Sequence, residues 1–274
     1  MGQTAITIFS IIFFLLAAYV VYKGVVRRQP SHPELLKKPF PEEFRSIMLQ
    51  RIRYYKKLSA EAKVEFEKRI LQFLAKKNIN GIDTEVTNED RLFVAASAII
   101  PMFALPYYGY PNVTEVLLYP NSFDDSFQTS PTVEHRNILG MVGSGFLNGE
   151  VILSKPDLER AFDGQRLTHN VGIHEFVHLI DKADGDIDGI PEILMEHSYS
   201  LAWLKEIKKE IARIEKGESN INPYALTNNA EFLAVASEYF FDDPKKMKNQ
   251  QPDLYAYLVT IFHQNPDSYR QTAK

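Results

Sequence analysis

The feature that most constrains the fold is the stretch NVGIHEFVHLID, residues 170–181 of a 274-residue chain. Within it, His174, Glu175 and His178 form the five-residue pattern H-E-x-x-H, here called the pentad. Four residues make about one helical turn, so a helix places both imidazoles on one face with the carboxylate beside them. The positions around them are apolar: Val171, Ile173, Phe176, Val177 and Leu179. The stretch therefore predicts a buried helix with one polar stripe, enclosed by the core of a sizeable domain.

The polar stripe has the residue types of a metal site. The chain contains no cysteine, which excludes a disulfide framework and leaves histidine and carboxylate as the ligands for zinc. A catalytic zinc takes three protein ligands and one water; His174 and His178 supply two, and Glu175 can move a proton from the water to the leaving amine. Since the pattern arises by chance in roughly one chain in a hundred, two hydrogen-bonded histidines on a partly buried helix are the alternative.

The third ligand has to come from residues downstream of the pentad. Glu196 and His197 lie at a spacing that fits, while Glu231 and Glu238 are seven residues apart in the apolar stretch AEFLAVASE. Asp181 is better suited to orienting His178 or to ending the helix. The chemistry alone does not decide whether Glu196 or Glu231 is the third ligand. Two carboxylates on an apolar helix cost several kcal/mol unless a cation compensates them, which favours Glu231.

An acidic loop after the pentad offers a different metal. Asp184, Asp186 and Asp188 match the opening of a calcium loop, D-x-D-x-D-G. The twelfth position, where a bidentate glutamate belongs, is Met195. We therefore expect a turn whose carboxylates are solvated or bind an adventitious cation, rather than a calcium EF-hand.

The N-terminus carries a second strong signal. Residues 5–22, AITIFSIIFFLLAAYVVY, are uncharged and mostly apolar, and as a helix they reach roughly 27 Å, close to the thickness of a bilayer core. No basic segment precedes them and no cleavage site follows, while Lys23, Arg27 and Arg28 come directly after. The positive-inside rule then predicts a single-pass protein of a bacterial inner membrane, with its N-terminus outside, its catalytic domain in the cytoplasm and the lipid bilayer as a partner.

The remaining patterns predict an α+β, helix-dominated domain with a small sheet. We expect a transmembrane anchor at residues 1–28, a proline-rich linker at 29–41 and one domain at 42–270. The uncharged run 92–110 contains Pro101 and Pro106 and fits a buried helix that breaks near Pro101 better than a second span. The predicted strands are 114–120 and 149–154, and the predicted helices are 42–55, 60–77, 193–216, 228–241 and 252–264. Ser59 is the expected N-cap of the second of these helices, and Asn80 and Gly81 are expected to end it. The glycines of LGMVGSGFLNG predict a hairpin or tight turn before the second strand.

Several segments, in order, resemble the Mlc titration factor A (MtfA) family of zinc-dependent peptidases. The resemblance runs from about Pro41 to Tyr269 and covers the following stretches: YYKKLSAEAKVEFEKRILQFLAKKNING, EVLLYPNSF, GEVILS, HEFVHLIDKADGDIDGIP and NPYALTNNAEFLAVASEYFF. It implies a zincin-like metallopeptidase fold at 42–270, similar to the catalytic domain of anthrax lethal factor, a gluzincin.

The resemblance also assigns roles, position by position. It makes His174 and His178 zinc ligands, Glu175 the general base and Glu231 the third ligand. Tyr224 would be the phenol that stabilises the tetrahedral oxyanion. Glu238 would hold a ligand imidazole by its other nitrogen, and GEVILS would be the edge strand on which a peptide lies.

Two alternative functions remain, and they differ in the partner that the protein would bind. The first is a zinc peptidase acting on peptide or protein substrates. The second is a regulatory binding module with structural zinc, which sequesters a cytoplasmic protein such as a transcriptional repressor. Beyond Lys77 there are 29 acidic against 16 basic residues, which argues against nucleic acid as a partner.

Overall fold

A four-stranded mixed sheet forms one part of the domain. The structure, a computed structural model, describes residues 32–122, 140–142, 149–163 and 169–270. The sheet order is β1-β2-β4-β3, in which β1 and β4 run parallel to β2 and β3 runs antiparallel to β4. The strands are β1 Asn78–Gly81, β2 Glu115–Tyr119, β3 Gly140–Val142 and β4 Glu150–Ser154. The predicted strands correspond to β2 and β4.

Helices make up most of the described residues, so the predicted α+β class is confirmed at this level. The α-helices are α1 Glu42–Arg51, α2 Arg53–Lys57, α3 Ala60–Lys76, α4 Asn88–Met102, α5 Lys155–Ala161, α6 Val171–Asp181, α7 Ser200–Glu215, α8 Asn229–Asp242, α9 Pro244–Gln250 and α10 Pro252–Phe262. Helix α6, which carries the pentad, contacts β3 and β4 as well as α4 and α8. The site therefore lies where the sheet meets the helices.

Strands β1 and β3 were missed by the sequence patterns. Asn80 and Gly81 were expected to end helix α3, but they lie in β1, where Asn80 is opposite Leu117. This strand depends on pairing with a distant segment, since the sequence NING has little strand propensity of its own. The glycines near residue 140 predicted a hairpin, and β3 does pair antiparallel with β4. The residues between the two strands, 143–148, lie outside the described residues.

The prediction that GEVILS forms the edge strand of the sheet is wrong. The stretch GEVILS corresponds to β4, which lies between β2 and β3 and uses both of its sides for sheet pairing. Strand β3, paired through Gly140 opposite Leu153 and Val142 opposite Val151, forms the edge beside α6 within the described part of the chain.

Local capping signals were reliable, whereas one helix start was not. Ser59 Oγ accepts a hydrogen bond from the backbone of Ala62 and begins α3, as expected. Helix α7 begins at Ser200 rather than near Ile193. The backbone of Leu194 bonds to Pro191 and that of Tyr199 to Glu196, so tight turns use the residues that the pattern placed in the helix.

The first part of the uncharged run, residues 92–102, lies in a buried helix rather than a span, and residues 103–110 follow it as turns and irregular structure. Residues 92–102 form most of α4, which has 15 residues and begins with a capping box between Thr87 and Asp90. At 1.5 Å per residue this helix is about 22 Å long, too short for a bilayer core of about 30 Å. Pro101 lies in its last turn, as the sequence predicted.

The predicted membrane localisation has to be corrected. In the ranges that the structure describes, no helix combines the length and the apolar character that a transmembrane segment needs. A span needs about 20 mostly apolar residues, and the longest described helix, α3, has 17 and carries charges throughout. The prediction of a single-pass inner-membrane protein is wrong on this finding. The segment on which it rested, residues 5–22, lies outside the described residues.

Candidate metal centre

Helix α6 presents the pentad because its ends and its packing are fixed locally. Asn170 caps it, since its Oδ1 accepts the backbone N–H of Ile173 at 3.0 Å. Gly172 allows α4 to pack closely: a methyl group there would lie 2.7 Å from Cβ of Ser97. Nine of the eleven helix residues are buried, including His174 and Glu175. The helix is therefore held rigidly, with its polar stripe facing α8.

Helix α8 brings the carboxylates to this stripe. It is capped by Asn228, whose Oδ1 accepts the backbone N–H of Glu231 at 2.9 Å. Glu231 thus lies in the first turn, and Glu238 follows two turns later on the same face. Tyr224 precedes the helix in a 3-10 turn, Pro223–Leu226, that Asn222 caps.

Three ligand atoms converge between α6 and α8. His174 Nε2 lies 2.9 Å from Oε2 of Glu231 and 3.1 Å from Nε2 of His178. His178 Nε2 lies 3.4 Å from the same carboxylate oxygen. Within the described ranges, this is the group of histidine and acidic side chains whose geometry could hold a metal ion, with ligand atoms within 4.8 Å of one another.

The donor set fits a divalent cation. Two imidazole nitrogens and one carboxylate oxygen are ordinary ligands for zinc and leave one position open for water. Two ring nitrogens and a carboxylate oxygen this close point their lone pairs at a shared space, and a cation there would attract all three.

Glu238 contacts the ring nitrogen of His174 that does not face Glu231. His174 Nδ1 donates to Oε1 of Glu238 at 2.6 Å, while the backbone N–H of Asn170 donates to Oε2. His169 Nδ1 also lies 3.1 Å from Oε2. Burial raises the pKa of Glu238, but the hydrogen bonds from His169 and His174 outweigh it and lower the pKa to about 2. Because an ionised Glu238 keeps a proton on Nδ1 of His174, Nε2 is the nitrogen that would offer its lone pair to a bound cation.

Glu231, like Glu238, is ionised at neutral pH. Burial raises its pKa, but hydrogen bonds from His174 and His178 lower it to about 2. The two carboxylates in turn raise the pKa of His174 against the opposing effect of burial. Without a cation the centre is thus held together by charge-assisted hydrogen bonds.

The side chain of Glu175 extends from α6 toward Gly140 in the edge strand β3. Burial raises the pKa of its carboxyl group, against the lowering effect of His174 and His178. A methyl group at Gly140 of β3 would lie 2.6 Å from Cγ and 2.7 Å from Oε1 of Glu175. Sequence reasoning missed Gly140, because the glycines around it were attributed to a hairpin or tight turn.

Tyr224 completes the cavity over the centre. Its ring centroid lies 6.1 Å from that of His174, and the residue is 52% exposed. Burial, with help from Glu231 and Glu175, raises the pKa of its phenol, which therefore keeps its proton at neutral pH. The cavity has a volume of about 260 Å³ and is lined by Gly140, Met141, His174, Glu175, His178, Ile187, Tyr224, Asn228, Ala230 and Glu231.

The other candidates lie elsewhere or have other partners. Glu196 is exposed and lies in the turns before α7, and the side chain of His197 lies outside what the structure describes. Asp184 accepts the backbone N–H groups of Asp186 and Glu192 at 3.2 and 3.1 Å. The acidic loop is therefore a turn in which Asp184 accepts hydrogen bonds from the backbone of the same loop.

Asp181 is buried at the end of α6, with one oxygen accepting the backbone N–H of Gly189 at 2.9 Å. The other oxygen has no hydrogen-bond partner among the described residues. Burial raises the pKa of Asp181 from 3.8 to about 6. The folded state therefore favours the protonated form of Asp181. The contribution of this carboxyl group to the free energy of unfolding is complete below pH 3.8 and is lost as the pH rises through 6, because the unfolded chain releases the proton at a lower pH than the folded chain does.

Replacing Asp181 by asparagine is expected to stabilise the metal-free protein at pH 7. The amide keeps an acceptor for Gly189 and removes the buried charge, and the two pKa values differ by an equivalent of about 3 kcal/mol at most. Urea unfolding at pH 7 and pH 3.5 measures the effect. The gain should shrink at pH 3.5, and a gain that does not change with pH would contradict this explanation.

Comparison with known proteins gives one matching family and several similar relatives. A sequence profile of the glucose-regulated metallo-peptidase M90 family matches residues 25–263. An uncharacterized protein of Synechocystis sp. is 31% identical over 245 residues, which cover 85% of this chain and 88% of that protein. Mlc titration factor A of Escherichia fergusonii is 30% identical over 207 residues, covering 71% and 76%. Mlc titration factor A of Serratia proteamaculans is 29% identical over 205 residues, covering 71% and 77%.

Proposed function

The chain belongs to the glucose-regulated metallo-peptidase M90 family, together with the Mlc titration factor A proteins, and we propose that it is a zinc-dependent peptidase. The observation that carries this proposal is the convergence of His174, His178 and Glu231 in one cavity with Glu175 beside them. Membership in a metallopeptidase family implies a divalent metal, and the two imidazoles and one carboxylate favour zinc.

In this proposal His174, His178 and Glu231 hold the ion, and Glu238 orients His174 through Nδ1. When bound, zinc supplies a Lewis acid that polarises the peptide carbonyl and lowers the pKa of the attacking water. The protein contributes a buried setting in which these groups need little reorganisation during the reaction.

Glu175 moves the proton. Its carboxylate takes a proton from the attacking water and gives it to the leaving amine when the C–N bond breaks, so that it ends the cycle ionised. Burial raises its pKa, which makes the carboxylate a stronger base than an exposed one. Glycine at position 140 leaves room for this carboxylate beside the edge strand, because a methyl group there would overlap Cγ and Oε1 of Glu175.

The peptide would lie along β3. Within the described part of the chain this strand pairs only with β4, so its outer side can bond the backbone of an extended peptide. Because Gly140 touches Glu175, a peptide on this edge passes directly beside the proposed base. The substrate class that fits is therefore an extended peptide segment or an unfolded part of a protein.

Tyr224→Phe is expected to lower kcat by about 10²-fold, because one hydrogen-bond donor to the oxyanion is lost. Zinc content should not change, since the phenol is not among the three converging ligands. Steady-state kinetics with a fluorogenic peptide, together with metal analysis, check this. Unchanged kcat would remove Tyr224 from the proposed role, and loss of zinc would show a structural one.

The proposed function is tested by measuring metal content and hydrolysis on the same preparation. The chain, purified without chelators, should contain about one zinc per molecule and cleave members of a peptide library. A chelator should abolish cleavage, and added zinc should restore it. A preparation with intact fold that binds no zinc, or that binds zinc and cleaves no peptide, would overturn the proposal.

A regulatory binding module is the second candidate, because the relatives in two genera are named for the titration of Mlc. In that case zinc is structural and the domain sequesters a protein partner. Capture of a candidate regulator by the wild type and by Glu175→Gln separates the two functions. Equal capture after zinc removal, with no hydrolysis by either protein, would favour the binding module.

A further inference from the structure

Gly189 lies in the acidic loop that follows α6, and its backbone is unusual. Its φ is +80°, in the left-handed region that favours glycine. The residue belongs to the stretch DGDIDGI, whose carboxylates close a turn and contribute no ligand to the metal centre. The position of Gly189 between three helices gives this loop a further role.

Hydrogen bonds join Gly189 to two of these helices. Its N–H donates to Oδ2 of Asp181, the last residue of α6, at 2.9 Å. Its carbonyl oxygen accepts a hydrogen bond from Nε1 of Trp203 in α7 at 2.7 Å. Trp203 is fully buried, and its ring centroid lies 6.1 Å from that of Phe232 in α8. The loop backbone is thus bonded on both sides inside the domain.

The third contact is with the start of α8. A methyl group on Gly189 would lie 2.5 Å from the carbonyl carbon and 2.9 Å from Cβ of Asn229, and closer still to its carbonyl oxygen. Asn229 is the first residue of α8, two positions before Glu231. No side chain fits at position 189 unless the first turn of α8 moves.

Gly189 therefore connects the two helices that carry the proposed ligands. Asp181 is three residues after His178, and Asn229 is two residues before Glu231. The distance between these helix ends decides whether the carboxylate and the imidazoles reach the same ion, and metal–ligand distances tolerate only about 0.2 Å of change. We propose that Gly189 is a positioning residue that sets the spacing between α6 and α8 at the metal centre. This inference rests on the proposed zinc site.

The test compares two glycines of the same loop in the full chain. Gly189→Ala should weaken zinc binding about 10- to 100-fold, as loss of a group that orients a ligand does. Gly185→Ala is the matched control, since Gly185 has a φ of +120° and a methyl group there would meet no atom within 4 Å. Its zinc affinity should stay within about threefold of the wild type, because only local backbone strain is added.

Zinc affinity is measured by competition with a chromophoric chelator, and thermal unfolding of the metal-free proteins controls for stability. Wild-type affinity in Gly189→Ala would overturn the inference, and so would an equal loss in Gly185→Ala. A wild-type chain that binds no zinc would remove the proposed function and this inference with it. The two failures are therefore distinguishable.

Trp203→Phe tests the same connection if Gly189→Ala does not fold. The phenyl ring keeps most of the packing against Phe232 and removes the N–H that bonds to Gly189. We expect zinc binding to weaken more than about threefold, because a loosened loop no longer sets the helix spacing. Wild-type zinc affinity in a folded Trp203→Phe protein would contradict the proposal.

Discussion

Replacing Glu175 by glutamine is expected to lower peptide hydrolysis by about 10²- to 10⁴-fold while leaving the zinc content unchanged. The amide has nearly the same shape as the carboxylate, so it can occupy the space against Gly140, but it cannot take a proton from water. The three converging ligands are other residues, and the metal should remain bound. Single-turnover hydrolysis and metal analysis on one preparation measure both quantities.

The stability of the same variant is the control for this prediction. Burial raises the pKa of Glu175, so the native state pays to keep the carboxylate ionised, and a neutral amide removes that cost. The metal-free variant should therefore be at least as stable as the wild type in urea unfolding at pH 7. Hydrolysis retained at more than about a tenth of the wild-type rate would contradict the role of Glu175 as the base.

Glu231→Ala should have the largest effect on metal binding, lowering zinc affinity by at least about 100-fold. The loss of a group that only orients a ligand costs 10- to 100-fold, and the loss of the ligand itself exceeds it. Its carboxylate oxygen lies within 3.4 Å of both imidazole nitrogens, so the variant leaves two ligands without the charge that balances the cation. Zinc titration followed by chelator competition gives the affinity.

Glu196→Ala is the matched control, because the sequence offered this carboxylate as the rival third ligand and the structure leaves it exposed. Its zinc affinity should equal that of the wild type. Added zinc should also raise the melting temperature of wild type and Glu196→Ala, but not that of Glu231→Ala, since only a bound ligand stabilises the folded state. The reverse pattern would make Glu196 the ligand and exclude Glu231.

Features with local causes were predictable from the sequence. The helix of the pentad, the cap at Ser59, the start of α8 near Asn228 and the strands β2 and β4 follow from residue spacing and from side chains that bond to nearby backbone. The preference for Glu231 also had a local origin, in two carboxylates on an apolar helix. The structure places its carboxylate at hydrogen-bond distance from His174, 57 residues away.

Features that depend on distant partners were missed or misplaced. Strand β1 exists because a polar segment pairs with β2, and β4 lost its expected place at the edge because β3 pairs on its outer side. The membrane prediction used the hydropathy of one segment, and it is contradicted by the described helices, none of which is long and apolar enough to span a bilayer. Sequence periodicity reports which face of an element is apolar, and it does not identify the segment that covers that face.

The sequence by itself determined the donor types, the helix that carries His174, Glu175 and His178, and the absence of thiolate ligands. These depend on residue identity and on helix geometry, which repeats every 3.6 residues in any protein. Only the tertiary structure decided that Gly140 touches the proposed base and that Gly189 lies against the start of α8. Those contacts arise from the packing of separate elements, where a single methyl group changes the spacing, and no local pattern encodes that spacing.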